Sequence, residues 1–127
     1  MHDLLEIEDV PPADPEPLRC VTVENLAHAA LTPPQFWIEG ILPAKTVTLL
    51  GGHGGTGKST LALTIGAHLA LGVSWAGLQC RRARVAFVTL EDDSDVVRYR
   101  LRTICETLGL PAHALAESLV ILDGTDS

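Results

Sequence analysis

The pattern of apolar and polar residues is clearest from residue 46 onward. Residues 46–50, TVTLL, form a short β-branched apolar run that stops at two glycines, which predicts a buried strand. A helix is predicted next, because apolar residues recur at helical spacing and a glycine follows as a stop signal: Leu61, Ile65, Leu69 and then Gly72. Residues 85–90, VAFVTL, predict a second strand that is apolar on both faces, as in the middle of a parallel sheet.

The pattern continues with a second helix, for which Ser94 is the candidate N-terminal cap. One face of this helix is apolar, and Gly109 with Pro111 ends it; the apolar positions are Val97, Leu101, Ile104 and Leu108. Residues 112–117 predict a further short helix, and residues 119–122 predict a third strand. Alternating strands and helices imply right-handed crossovers and a parallel sheet flanked by helices. The predicted fold class is therefore α/β.

The N-terminal part of the chain has a different composition. Residues 1–18 combine acidic residues with four prolines, which predicts a flexible leader that buries little surface. Residues 19–127 are assigned to the α/β domain. Within them, residues 21–31 predict a short helix that ends before Pro33, and residues 36–38, FWI, predict an apolar lid packed on the core.

Composition narrows the class of protein. The chain has 127 residues, of which 46% are hydrophobic and 20% charged, a balance typical of one folded domain. No apolar run reaches the ~20 residues needed to cross a bilayer, so no membrane partner is expected. The start of the chain lacks a secretory signal, and three widely spaced cysteines suit reduced thiols rather than disulfides or zinc. We therefore expect a cytoplasmic protein.

The net charge of −7 is unevenly distributed. Six of the sixteen acidic residues lie in residues 1–16, which contain no lysine or arginine. The rest of the chain has ten acidic and nine basic residues, so its net charge is close to zero. The composition thus gives no general basic field for nucleic acid.

The strongest chemical signal is residues 52–59, GHGGTGKS, which fit the P-loop pattern G-x-x-x-x-G-K-[ST]. Glycines let the backbone curl so that successive N–H groups point at phosphate oxygens, and the following helix adds its N-terminal amides and dipole. Lys58 is predicted to reach the β- and γ-phosphates, and the Ser59 hydroxyl to bind Mg²⁺. The predicted ATP-binding residues are Gly52, Gly54, Gly55, Thr56, Gly57, Lys58, Ser59 and Thr60. A chance glycine-rich turn is disfavoured, because a strand is predicted before the loop and a helix after it.

Two acidic positions are further candidates. Glu91 follows the second predicted strand, at the sheet edge where open parallel sheets bind ligands, so it is a candidate to activate the water that attacks the γ-phosphate. The plainer interpretation is that Glu91 and the acids after it favour the N-terminus of the next helix. Asp123 ends the third predicted strand and superficially fits a Walker B acid, but Asp123-Gly124 equally predicts a turn.

Several segments together resemble the RecA-like ATPases: residues 36–43 (FWIEGILP), the P-loop, residues 88–92 (VTLED) and residues 98–101 (RYRL). Among these the chain is most similar to the RepA-like branch, the hexameric plasmid-replication helicases and their AAA-family relatives. The resemblance implies a catalytic Glu91 beside Lys58, a homo-hexamer, and single-stranded DNA as a partner. It also implies a Walker B strand later in the chain than Asp123. Lys45 occupies a turn position where relatives often carry glycine.

Only residues 124–127 follow Asp123, so the resemblance implies the N-terminal portion of a longer ATPase, truncated before the Walker B strand. Residues 1–127 alone are then expected not to hydrolyse ATP measurably. Two alternatives stay open: a P-loop kinase acting on a small molecule, and a non-catalytic module in which the nucleotide only controls binding to a partner.

Overall fold

The computed structural model describes residues 15–125, and the chain divides between Thr32 and Pro33 into two compact units. The predicted leader, residues 1–18, lies mostly outside the described residues, and its boundary stays a prediction. In the first unit, the helix predicted over residues 21–31 is wrong. The segment forms a single turn, in which the His28 amide donates to the Asn25 carbonyl at 3.0 Å and Asn25 has a φ of 55°. Its apolar side chains stay exposed, and a helix this short depends on packing.

The second unit contains all the helices and strands of the described residues. A small antiparallel hairpin comes first, with β1 at Phe36–Ile38 and β2 at Leu42–Pro43. Then follow α1 (Lys58–Leu71), β3 (Val85–Thr89), α2 (Ser94–Leu108), a 3-10 helix (Ala112–Glu117) and β4 (Leu119–Asp123). β3 and β4 pair in parallel, from Val85 opposite Leu119 to Thr89 opposite Asp123. The α/β class is confirmed, and the arrangement is compatible with a P-loop NTPase.

The strand predicted over residues 46–50 is wrong. The segment directly precedes the glycine-rich loop, but no described residue pairs with it, and the side chains of Val47 and Leu49 are 93% and 92% exposed. A β-branched sequence favours an extended backbone, but only hydrogen bonds to a neighbouring strand make it part of a sheet. The position of this segment relative to β3 is therefore not fixed by strand pairing.

Within the described residues, helices cover one face of the β3–β4 sheet. Val85 and Phe87 of β3 pack with Ile121 of β4 against the helices, whereas Ala86 and Val88 on the other face are exposed. The expectation that both faces of this sheet are buried is wrong for this part of the chain. The reason is that α1, α2 and the 3-10 helix all pack into the same core.

α1 contributes to two clusters of buried side chains. Leu63, Ala67 and Ala70 pack against α2, while Ile65 and Leu69 pack against the N-terminal hairpin, where Ile38 is fully buried. The predicted lid thus packs on the core. The apolar stripe predicted from Leu61, Ile65 and Leu69 is only one of the two contact faces, and Leu61 and Ile65 are half-buried.

The helix ends follow local signals closely. Gly72 and Gly109 adopt left-handed conformations directly after α1 and α2, as predicted. The cap of α2 is Asp93 rather than Ser94: the Asp93 carboxylate accepts a hydrogen bond from the Val96 amide at 3.0 Å. Val97, Leu101 and Ile104 are buried as predicted, but Leu108 is half exposed. Within residues 15–125, no helix combines the length and the apolar composition needed to cross a membrane.

Candidate functional site

The glycine-rich loop curves tightly before α1 begins. Gly55 and Gly57 have φ values of 79° and 89°, in the left-handed region that side-chain-bearing residues avoid. Gly52 matters for a different reason, because a Cβ there would lie 3.1 Å from the Thr56 hydroxyl and 3.3 Å from the Lys58 side chain. The glycines at these positions therefore permit a backbone path that most other residues would disturb.

Polar contacts within the loop hold the curve. The Thr56 hydroxyl donates to the His53 carbonyl at 2.7 Å, and the Lys58 ammonium folds back to donate to the Gly52 carbonyl. The first helical hydrogen bond of α1 runs from the Leu61 amide to the Gly57 carbonyl at 2.9 Å. Helix geometry leaves the amides that precede Leu61 without intrahelical acceptors, so they are available to an anion.

A cavity of about 280 Å³ lies between the start of α1 and the end of β3. Six polar or charged residues are among those that line it: Lys58, Ser59, Thr89, Glu91, Asp92 and Arg100. The structure therefore brings together three of the residues predicted from sequence, Lys58, Ser59 and Glu91. Thr60 does not line this cavity; it is exposed, and its carbonyl accepts from the Thr64 hydroxyl at 2.7 Å. A larger groove of about 710 Å³, between α2 and the 3-10 helix, contains none of the predicted site residues.

The turn after β3 places the acidic residues at the cavity. Thr89 is buried at the end of β3, and its hydroxyl donates to the Asp92 carbonyl at 2.5 Å. The Asp92 carboxylate forms an ion pair with Arg100 at 2.6 Å, and Asp93 caps α2. Of the acids assigned by sequence to the helix start, Asp93 thus performs that task, whereas Asp92 contacts an arginine two turns into the helix.

Arg100 is a charged lining residue that sequence reasoning did not assign to the site. The available signal was its position on α2, eight residues after Asp92, which places its guanidinium within reach of the β3–α2 turn. That signal is weak, because Arg98 and Arg102 lie on the same helix and make different contacts.

Asp123 lies outside the cavity, and both of its carboxylate oxygens have partners. One accepts from the amide and hydroxyl of Thr125, and the other accepts from the Ser94 amide at 3.0 Å. The hydrogen bonds from Thr125 are the main cause of a lowered pKa for Asp123, with the Ser94 amide adding to them. This geometry favours the interpretation of Asp123 as a strand end and turn.

The start of α1 suits a phosphate group better than a bare metal ion. Lys58, the loop amides and the positive end of the α1 dipole favour an anion. Within residues 15–125, no group of three histidine, cysteine or acidic side chains has the geometry to hold a metal alone. A cation such as Mg²⁺ would thus depend on phosphate oxygens together with the Ser59 hydroxyl.

Comparison with known proteins adds one finding. A family model described as an AAA domain matches residues 12–126, which is almost the whole chain. No curated protein matches the chain, and no solved structure matches it.

Proposed function

This chain belongs to the AAA domain family of P-loop ATPases, and we propose that it binds Mg·ATP at residues 52–60 and that Glu91 activates water for hydrolysis. The observation that carries the proposal is the shared cavity of Lys58, Ser59 and Glu91. A phosphate-binding lysine, a metal-binding hydroxyl and a carboxylate base are three of the groups that act in hydrolysis of the γ-phosphate.

Each residue of the proposed site has its own role in binding or hydrolysis. The loop amides and the N-terminus of α1 bind the phosphates, and the Lys58 ammonium leaves the Gly52 carbonyl to donate to the β- and γ-phosphate oxygens. Ser59 would hold Mg²⁺, which would supply positive charge to the phosphate oxygens. Glu91 accepts a proton from the attacking water while the bond between the γ-phosphorus and the bridging β-phosphate oxygen breaks.

The finer proposal is a RecA-like replicative helicase of the RepA-like branch, working as a homo-hexamer on single-stranded DNA. Its support is the resemblance carried by the P-loop together with FWIEGILP, VTLED and RYRL at residues 36–43, 88–92 and 98–101. The nearly neutral charge outside the first sixteen residues adds no support for DNA binding, so DNA has to be tested directly.

The test is steady-state phosphate release by the protein expressed from its complete coding sequence, with and without single-stranded DNA. Glu91→Gln keeps the size of the side chain and removes its basicity, so ATP binding should persist while turnover falls by about 10²–10⁴-fold. Glu106→Gln, at an exposed position of α2, is the matched control and should keep full turnover.

The possible outcomes distinguish the helicase from the small-molecule kinase and from the non-catalytic partner module. Turnover that single-stranded DNA stimulates supports the helicase proposal. Phosphate transfer to a small molecule instead of water would indicate the kinase, and tight binding without any turnover would indicate the partner module. Unchanged turnover in Glu91→Gln would contradict the catalytic assignment.

A further inference from the structure

The turn that carries Glu91 is held at three points. The buried Thr89 hydroxyl donates to the Asp92 carbonyl, the Asp92 carboxylate pairs with Arg100, and the Asp93 carboxylate caps α2. Within residues 15–125, the Glu91 carboxylate itself takes part in no hydrogen bond or ion pair. Its backbone is thus fixed by its neighbours while its side chain is left available at the cavity.

The Arg100–Asp92 pair differs from the other ion pair on the same helix. Its atoms are 2.6 Å apart, and the two side chains are only 39% and 36% exposed. Arg98 and Asp95 are 3.9 Å apart, with side chains 75% and 91% exposed, a geometry that contributes little. A short charge-assisted hydrogen bond that is partly shielded from water constrains its partners more strongly.

The part of α2 that carries Arg100 packs into the core. Arg100 follows Val97 and precedes Leu101 on α2, and these side chains are 1% and 8% exposed in the core. Through the ion pair, the turn after β3 is tied to that core. Contacts that fix the position of a reacting group matter for catalysis, because a misplacement of that group by about 1 Å can lower a rate about 100-fold.

We propose that Arg100, acting through Asp92, is a positioning residue that holds Glu91 at the γ-phosphate; this inference rests on the proposed ATP hydrolysis. Removal of Arg100 loosens the turn, because one of its three contacts is lost, and also leaves the Asp92 carboxylate without its cation beside the phosphate site. The first effect lowers turnover, and it acts only through Glu91.

The kinetic test uses the protein from the complete coding sequence and four single variants. Arg100→Ala should lower kcat by about 10- to 100-fold, with KM for ATP changed less than about threefold. Arg100→Lys keeps the charge without the planar fork and should recover part of the loss. Arg98→Ala and Arg102→Ala remove arginines two residues away on the same helix and should leave kcat unchanged.

A double-mutant cycle distinguishes positioning from a direct contact with phosphate. If Arg100 acts through Glu91, Arg100→Ala in the Glu91→Gln background should cause no further loss of kcat. An equal loss in both backgrounds would overturn the proposal and indicate an independent role for Arg100. If Glu91→Gln alone has no effect, the proposed catalytic function fails instead.

A second measurement needs no turnover. The backbone amide order parameter of Glu91, measured by NMR on the 127-residue chain, should be about 0.85 in the unmodified protein and fall below about 0.6 in Arg100→Ala. Arg98→Ala should leave it unchanged. A rigid Glu91 amide in Arg100→Ala would overturn the positioning role even if turnover changed.

Discussion

Gly57→Ala tests whether the shape of the P-loop backbone, and not only its lysine, supports nucleotide binding. Gly57 directly precedes α1 with φ 89° and ψ 16°. An added Cβ would meet no atom within 4 Å, so the substitution introduces backbone strain without a steric clash. Gly51→Ala is the matched control, because Gly51 also has open space around it but no left-handed φ.

The magnitude follows from the conformation. A left-handed backbone costs a residue with a Cβ about 1–2 kcal/mol. If the loop relaxes away from its curve, nucleotide binding has to restore that curve, and the same free energy raises the Kd for Mg·ATP by about 5- to 30-fold. If the loop keeps its curve, the strain lowers the free energy of unfolding instead, partly offset by about 0.4–1 kcal/mol from the stiffer unfolded chain.

The assay combines a fluorescence titration of Mg·ATP with chemical denaturation of the same samples. Gly57→Ala should show a higher Kd, a lower free energy of unfolding, or both. Gly51→Ala should keep its Kd within about twofold and gain up to about 1 kcal/mol in stability. A Gly57→Ala protein with unchanged Kd and unchanged stability would refute the argument that the left-handed backbone matters.

Three further predictions concern stability. Leu63→Ala removes a side chain that is 1% exposed in the core and should lower the free energy of unfolding by about 2–5 kcal/mol, whereas Leu122→Ala, at 52% exposure, should change it by less than about 1 kcal/mol in the same urea titration. Ala76→Asn suits the left-handed φ of 51° at the turn before Gly77 and should raise the melting temperature. Because its pKa is lowered from 3.8, Asp123 stabilises the fold above that pH and loses the effect as pH falls through the folded value. The stability gap between the unmodified protein and Asp123→Asn should therefore narrow as the pH falls below the ordinary value of 3.8, and a gap independent of pH would contradict this.

The elements predicted correctly are those with local causes. Gly72 and Gly109 end their helices because a left-handed residue terminates a helix regardless of distant contacts. The glycine-rich loop has local signals too, since Gly55 and Gly57 adopt positive φ values; its binding of phosphate stays a prediction. For the same reason, the 3-10 helix at Ala112–Glu117 agrees with the predicted range.

The elements predicted wrongly depend on partners distant in sequence. Residues 46–50 have strand-forming residues but no hydrogen-bonding partner in the described chain, and no property of those five residues shows this. Arg100 belongs to the site only because the turn after β3 places Asp92 against α2. Lys45 adopts a left-handed φ of 61° although lysine does not favour it, a conformation that suits the glycine implied by the family resemblance.

The loop before α1 is proposed to bind the phosphates of ATP through Lys58. The most direct measurement is the Kd for Mg·ATP of the protein from the complete coding sequence, compared with that of Lys58→Ala, with circular dichroism as the control for folding. Lys58 is partly exposed and its ammonium contacts only the Gly52 carbonyl among the described residues, so the variant should fold normally. We expect no detectable binding by a folded Lys58→Ala protein. Normal affinity in that folded variant would contradict it.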